Sequence, residues 1–524
     1  MTPDDLAGLM RSAVPHAVLD IRERATYEKG HIYRATSLPR RLLETRLDVL
    51  VPSRAVPVVL YDGAGALAAL ARPTLAAMGY RDVRVLAGGL DAWRASGRRL
   101  VQGLNVPSKV FGERALHDLK TPQIAPHELQ ARIDARADMV IVDSRTPEEY
   151  ARGCIPGAIC VPGGELVLRL PELVHSPATT IVVHCGGRTR SYIGAESVRR
   201  MRLPNPVVAL ENGTMGWELA GLTLERGADR RPSALTPRSR AAAALVAKRV
   251  AAEDGVRFIS PQDLQPLQVA RADSNVYVLD VRTREEYAGA HVAGAVWAPG
   301  GQAVQATDEY IAVRAAPVVL VCDGLARSVM TAAWLQRMGL PDVAVLAGGL
   351  PAWQQAGGAV EEGHPARPPF GYDGARARVT MAPPGDTGHT VVLDVDQSDV
   401  YARGHVPGAV WMCRSRLEPL VAAAVPDTAT PLLVTCGDGT ASTLAAATLT
   451  ALGYTAVRVL EGGTRAWEAA GRPLERSATR LADEADDVVL KPYERGRAAM
   501  EAYLRWEEAL DDDGLSPHRL LPER

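Results

Sequence analysis

The sequence predicts an α/β protein of four tandem domains, each a central parallel sheet with helices on both faces, followed by a helical C-terminal tail. Three observations lead there. Strand-end aspartates Asp20, Asp143, Asp280 and Asp394 precede loop starts at Asp62, Cys185, Cys322 and Cys436 by 42 residues in every copy, and closing tryptophans Trp93, Trp217, Trp353 and Trp467 follow by 31 or 32. Self-similarity in a fixed register marks an array of like units. Within each copy, continuous apolar runs alternate with helical patterns, as in "HAVLDIR", "PVVLYD", "GALAALARPTLAAMG" and "VRVLAGG", and such runs belong to parallel strands buried on both faces. Finally, 524 residues exceed what one core can serve and fit roughly three to five domains.

Each copy reads the same way from its start. A strand ends in Asp, a short acidic-aromatic helix and a Gly-His-like turn follow, and a second apolar strand ends in a small-residue loop that runs into a helix. The closing "VxVLxGGxxxW" is a third strand, a tight turn at glycines such as Gly88, Gly89, Gly348 and Gly349, and a tryptophan core anchor. The domains are expected at 1–105, 121–228, 256–360 and 375–475, with the tail at 476–524. "VPSKVFGERALHDLKTPQ", "ADRRPSALTPRSR" with the Ala-rich helix after it, and "EGHPARPPFGYDG" read as surface linkers. In the tail, Met500, Tyr503, Leu504 and Leu510 fall at helical spacing ahead of a turn at Gly514. That stripe needs a cover from a repeat or from another subunit, which leaves a homo-oligomer open.

Bulk properties exclude several functions. A net charge of -2 argues against nucleic acid or an anionic membrane as partner. The acidic N-terminal stretch lacks the features of a signal peptide, and no run approaches the ~18 apolar residues of a membrane span. A cytoplasmic location is expected. Six cysteines at irregular spacing suit free thiols, with neither disulfides nor a metal site, and no cofactor is expected.

The chemistry centres on "HCGGRTRS", where Cys185 stands at the end of an apolar strand. Gly186 and Gly187 let the backbone turn its N–H groups inward, and Arg188, Thr189, Arg190 and Ser191 complete an anion cradle at a helix start. Fixed positive charge favours the thiolate, which is the nucleophile. In the third copy Cys322 is followed by Asp323, Gly324, Leu325, Ala326, Arg327 and Ser328, and in the fourth Cys436 begins "CGDGTA". A unit charge at ~5 Å is worth roughly 3 kcal/mol at an effective dielectric near 20. Loop charge therefore ranks Cys185 first, Cys322 second and Cys436 third.

Together these segments resemble the rhodanese-like sulfurtransferases. "VDSRTPEEYARGCIPGA" and "LDVRTREEYAGAHVAGA" are similar to the family's Asp-x-Arg, Glu-Glu-Tyr and Gly-His-x-x-Gly-Ala segments, "CGGRTRS" and "CDGLARS" to its active loop, and "GGLDAW" and "GGLPAW" to its C-terminal signature. The resemblance spans roughly residues 1–475. It implies a thiosulfate sulfurtransferase of rhodanese type, in which Cys185, Cys322 and Cys436 take the outer sulfur of a donor such as thiosulfate as a persulfide and pass it to cyanide or a thiol. Six-residue loops go with sulfur transfer in this family, and loops one residue longer go with its cysteine phosphatases. The competing reading is a scaffold of rhodanese-like domains that binds partners without turnover, or a protein persulfide relay.

The copies also differ. Asp62 replaces the nucleophile in the first, and is expected to accept its own loop's N–H groups, making that domain non-catalytic. Asp396 stands where Arg22, Arg145 and Arg282 stand elsewhere; those arginines are expected to bond the nearby acidic helix. Copies one and four share arginines (Arg40, Arg41, Arg414, Arg416) where copies two and three have "VPGGE" and "APGGQ"; Arg414 and Arg416 read as a solvated face, with restoring positive field to the fourth loop as the alternative. The inner pair is accordingly expected to carry the principal chemistry. Cys154 and Cys160 read as packing residues, with resolution of a Cys185 persulfide as the alternative for either, and Cys413 is a candidate to resolve Cys436.

Overall fold

The computed structural model describes residues 1–364, 367–385, 387–388 and 390–510. The polypeptide divides into two compact units, one made of residues 1–104 with 366–489 and the other of 105–365 with 490–524. The first and fourth repeats thus form one unit, and the second and third form the other.

The main sheet of each repeat follows one parallel plan, and the third repeat adds an antiparallel pair, His291–Val292 with Val360–Glu361. In the second repeat the order is Gln123–Ile124, Val207–Leu210, Thr180–His184, Met139–Asp143, Ile159–Cys160. The third and fourth repeats repeat that order, with Val318–Val321 and Leu432–Thr435 in the central place of Thr180–His184. In the first, Thr36–Ser37, His16–Asp20, Val58–Tyr61 and Val83–Val85 lie side by side. The central strands are buried apolar runs, as parallel strands covered on both faces must be. Each closing tryptophan is buried and donates its indole N–H to the carbonyl six residues on, at 2.8–3.2 Å. His31, His291 and His405 are buried and stack on Tyr27, Tyr287 and Tyr401 at 3.7 Å.

The Asp-x-Arg arginines bond the acidic helix as expected, but through its closing carbonyl and not its acidic side chains. Arg22, Arg145 and Arg282 fold back on the aspartate two residues earlier, each with an Nη2–Oδ2 distance of 2.6 Å, and donate to the carbonyls of Gly30, Gly153 and Ala290 at the end of the acidic helix. The pair neutralises a fully buried carboxylate, which keeps the guanidinium at the strand end.

Two segments read as surface features are interior. Residues 106–118, taken as a linker, form the helix Val106–Asp118, with Val106, Val110, Phe111, Ala115 and Leu116 buried. Arg414 and Arg416 are ion-paired rather than solvated: Arg414 reaches both oxygens of Glu44 at 3.0 and 2.8 Å, and Arg416 reaches Asp483 and Asp486 at 2.8 and 2.7 Å. Across the same seam Arg40 binds Glu418 at 2.6 Å, and the fully buried Glu23 accepts from Arg41 Nε at 3.1 Å and from the Ser415 hydroxyl. The inner pair meets instead by backbone approach: a Cβ on Gly164 would lie 2.9 Å from Gly301 N and 3.0 Å from Gly300 Cα, so only glycine fits. The shared arginines of the outer copies and the shared glycines of the inner ones are therefore seam residues.

Of the tail, only Arg497–Glu508 is α-helix among the described residues, preceded by the 3-10 turn Pro492–Glu494. Residues 476–489 belong to the unit of repeats one and four, and the expected turn at Gly514 lies outside the described residues. Among those residues no helix is long and apolar enough to cross a membrane.

Candidate active sites

Each of the three cysteines stands at the carboxyl end of its central strand, where the fold gathers loops and helix starts. In the second repeat Gly187 N–H and Ser191 Oγ lie 3.4 and 3.0 Å from Cys185 Sγ. Ser328 Oγ lies 3.0 Å from Cys322 Sγ, which is also 3.1 Å from Gly324 O. Ser442 N–H and Oγ lie 3.4 and 3.5 Å from Cys436 Sγ. A serine six residues on thus touches the sulfur in all three; Ser191 and Ser328 are among the expected residues, and Ser442 joins them. The loop is held from below by the Gly-Gly-type turn: Cys185 O accepts Thr214 N–H at 2.8 Å, and a Cβ on Gly213 (φ +54) would come within 2.8 Å of Gly187 O.

In the first repeat Asp62 takes the sulfur's place. One carboxylate oxygen accepts Gly65 N–H, and the other accepts Ala68 N–H at 2.8 Å, the position equivalent to the serine.

The arginines expected to polarise the thiol are matched by carboxylates from elsewhere in the chain. Arg190 makes a two-point pair with Glu149 at 2.6 and 2.8 Å. Burial opposes charge on Glu149, yet Arg190 holds its pKa down at about 2. Arg188 bonds both oxygens of the buried Glu113 at 2.8 and 2.7 Å, and Glu508 at 2.8 Å. Arg327 meets Glu165 at 2.9 Å, along with Glu286 and Asp323. Burial pushes the Cys322 thiol up despite Arg327, and pushes Cys436 up as well, with Asp396 adding to it. Formal loop charge consequently no longer ranks the three sites.

The C-terminal helix lies on the Cys185 loop. Met500 and Leu504 pack against Met215, and Lys109 Nζ sits 4.7 and 4.6 Å from the ring centroids of Tyr503 and Trp506. Glu507 is buried; Oε1 accepts the Thr189 hydroxyl at 2.6 Å, and Oε2 meets no hydrogen-bond partner among the described residues. A Cβ on Gly187 would come within 3.5 Å of that oxygen.

Cys436 has a different setting. It lines a cavity of about 210 Å³ together with Arg41, Asp396, Arg414, Asp438 and Arg465. Asp396 accepts Gly437 N–H at 2.5 Å, so a carboxylate occupies a loop amide. Behind it Asp394, deprived of the arginine its counterparts have, is pushed up to about 7 by burial, with Asp396 adding to the shift. A larger cavity of about 420 Å³ between repeats two and three is lined by Cys160, Arg169, Arg231, Arg284 and Trp297 among others, and neither Cys185 nor Cys322 is part of its wall. Cys154 and Cys160 are buried in a core cluster, and burial raises them to about 11 and about 12. Cys413 is buried 3.3 Å from Glu23.

Sequence reading missed Glu113, Glu507 and Arg465. Glu113 and Glu507 carry no local signal, being 75 and 318 residues from their partners. Arg465 had one: it occupies the variable position of the closing motif, where the other copies have Asp91, Met215 and Pro351.

Comparison with known proteins agrees with this architecture. A crystal structure of a thiosulfate sulfurtransferase from Pseudomonas aeruginosa superposes over 100% of this chain and 99% of its own, with a TM-score of 0.92 and 39% identity. A thiosulfate sulfurtransferase from Azotobacter vinelandii is 32% identical over 229 residues, 36% of this chain and 83% of its own. A sulfurtransferase from Allochromatium vinosum is 28% identical over 102 residues, 20% of this chain and 92% of its own. The model of the rhodanese-like domain matches residues 2–96, 125–220, 263–356 and 382–470. With all four repeats matched, the chain belongs to the rhodanese-like domain family and is a sulfurtransferase of that family.

Proposed function

We propose that the protein moves sulfane sulfur from a donor such as thiosulfate, through a cysteine persulfide, to a thiophilic acceptor, cyanide or a thiol. The observation that carries this reading is the recurrence, at three strand ends, of a buried cysteine whose sulfur meets a serine hydroxyl at 3.0–3.5 Å inside a six-residue loop. Thiolate attack on the outer sulfur of thiosulfate forms the Sγ–S bond and releases sulfite; the acceptor then attacks the terminal sulfur, and the electron pair of the broken bond returns to Sγ. Donation from Gly187 N–H and the Ser191 hydroxyl at Cys185, and from Ser442 N–H at Cys436, favours negative charge on the sulfur. The relatives' names, the shorter loop and the retained cysteines in three of four copies support this over a scaffold without turnover.

Thiocyanate formation from thiosulfate and cyanide should be measurable. Peptide mass spectrometry after thiosulfate treatment should find one added sulfur on the Cys185, Cys322 or Cys436 peptide. Replacing all three by serine should lower turnover by roughly a hundredfold or more, because a hydroxyl cannot carry sulfane sulfur. Turnover unchanged in that triple variant would sink the proposal, as would aryl-phosphate hydrolysis faster than sulfur transfer.

A further inference from the structure

We propose that the Cys436 cavity binds a small zwitterionic aminothiol, an α-amino acid bearing a thiol such as cysteine, as the acceptor of its sulfur. The proposal rests on the sulfur-transfer reading above and names the substrate class of one of its sites.

The charges lining the cavity carry the inference. Arg41 and Arg414 are already matched, by Glu23 and by Glu44. That leaves Arg465, whose guanidinium meets no carboxylate within ion-pair distance among the described residues, facing Asp396 and Asp438. Both signs flank the first loop glycine: a Cβ on Gly437 would lie 2.8 Å from Asp396 Oδ2 and 3.8 Å from Arg465 Nη2. Asp438 Oδ1 is 3.9 Å from Cys436 Sγ and accepts Thr440 N–H at 2.9 Å. A dianionic donor would find loop amides occupied by carboxylates and one free cation against two fixed anions. A zwitterion finds the opposite. Its carboxylate matches the fork of Arg465, and its ammonium matches Asp396 and Asp438. Volume agrees, since about 210 Å³ accommodates a small amino acid. Asp396 and Arg465 occur together in the fourth copy alone; the other copies have arginine at the first position and Asp91, Met215 or Pro351 at the second.

The transfer balances without an oxidant. Cys436 is loaded by attack of its thiolate on the outer sulfur of a donor of lower charge than thiosulfate, an organic persulfide that leaves as its thiol. The ligand's thiolate then attacks the terminal sulfur of the Cys436 persulfide, a sulfur–sulfur bond forms on the ligand, the Sγ–S bond breaks, and the thiol proton ends on Cys436. An ammonium beside Asp438 offsets the carboxylate nearest the sulfur and so eases departure of the thiolate.

The test uses the full chain and unreactive thioethers, with protection of Cys436 from iodoacetamide read by peptide mass spectrometry. S-methylcysteine should protect at concentrations at least ~10-fold below those needed of 3-(methylthio)propionate, which lacks the ammonium, or S-methylcysteamine, which lacks the carboxylate. Arg465→Ala should erase the advantage over S-methylcysteamine, and Asp438→Asn the advantage over 3-(methylthio)propionate, with continued protection of Cys413, buried in the same unit, as the control for folding. Equal protection by the three thioethers, or better protection by inorganic sulfate, overturns the proposal. Protection by S-methylcysteine with no persulfide formed on any cysteine upholds the ligand class while sulfur transfer fails; discharge of a Cys436 persulfide with no thioether preference leaves sulfur transfer standing and removes the ligand class.

Discussion

Asp394 shows how one substitution redirects a site. In three repeats the strand-end aspartate is paired with the arginine two residues on, but Asp396 leaves Asp394 buried beside a second carboxylate, and burial carries it from 3.8 to about 7. The folded state therefore holds this proton more tightly than the unfolded chain. Stability of the unit containing repeat four should fall as pH rises from about 4 to about 7 and stay low above that, by at most about 4 kcal/mol. Urea midpoints at pH 5 and pH 8 should differ in the wild type, and Asp394→Asn should flatten the difference; an unchanged slope in the variant would place the titration elsewhere. The loop cysteines, the Asp62 replacement and the Asp396 departure were all legible in sequence, because each is a residue standing in register with its counterparts. The electrostatics were not. Arg188 looks like free charge in "HCGGRTRS", and only folding brings Glu113 and Glu508 to it.

At the scale of elements, the C-terminal helix was legible as an amphipathic stripe, but nothing local said that it would cover Cys185. Its apolar residues face Met215, which sits against Gly187 of the loop. Removing residues 490–524 should speed iodoacetamide modification of Cys185 by roughly tenfold or more relative to Cys322, since the closed loop then opens without first lifting a helix. It should also cost stability, as burying Met500 and Leu504 contributes on the order of 1.5–3 kcal/mol for each side chain. Equal rates for Cys185 in the full and shortened chains would show that the helix does not limit access. The helix Val106–Asp118 is the complementary lesson: its mixture of Pro, Gly and charge reads as a surface connector, and its burial follows from packing against the helix of the second active loop.

For the molecule as a whole, repeat number and order were legible, whereas the pairing was written in a signal read for another purpose. Arginines shared by copies one and four, and glycines shared by copies two and three, mark which repeats meet. Glu23 sits at the centre of the outer seam, fully buried with Arg41, Cys413 and Ser415 around it. Glu23→Ala strands the Arg41 charge and should destabilise by about 3–5 kcal/mol. Calorimetry should show one of two unfolding transitions lowered and the other, belonging to residues 105–365, unmoved.

That nested order has a consequence during synthesis. The residues that close around Glu23 are made 390 positions later, a delay of roughly 20–80 s at ~5–20 residues per second. Repeats two and three can dock as soon as they emerge, while the first repeat, made earliest, is assembled last. Its seam of Glu23, Arg40 and Arg41 stays unmatched until residues 413–418 have been made. A chain cut short anywhere before the fourth repeat would leave Glu23, Arg40 and Arg41 without Ser415 and Glu418, the groups that complete their hydrogen bonds.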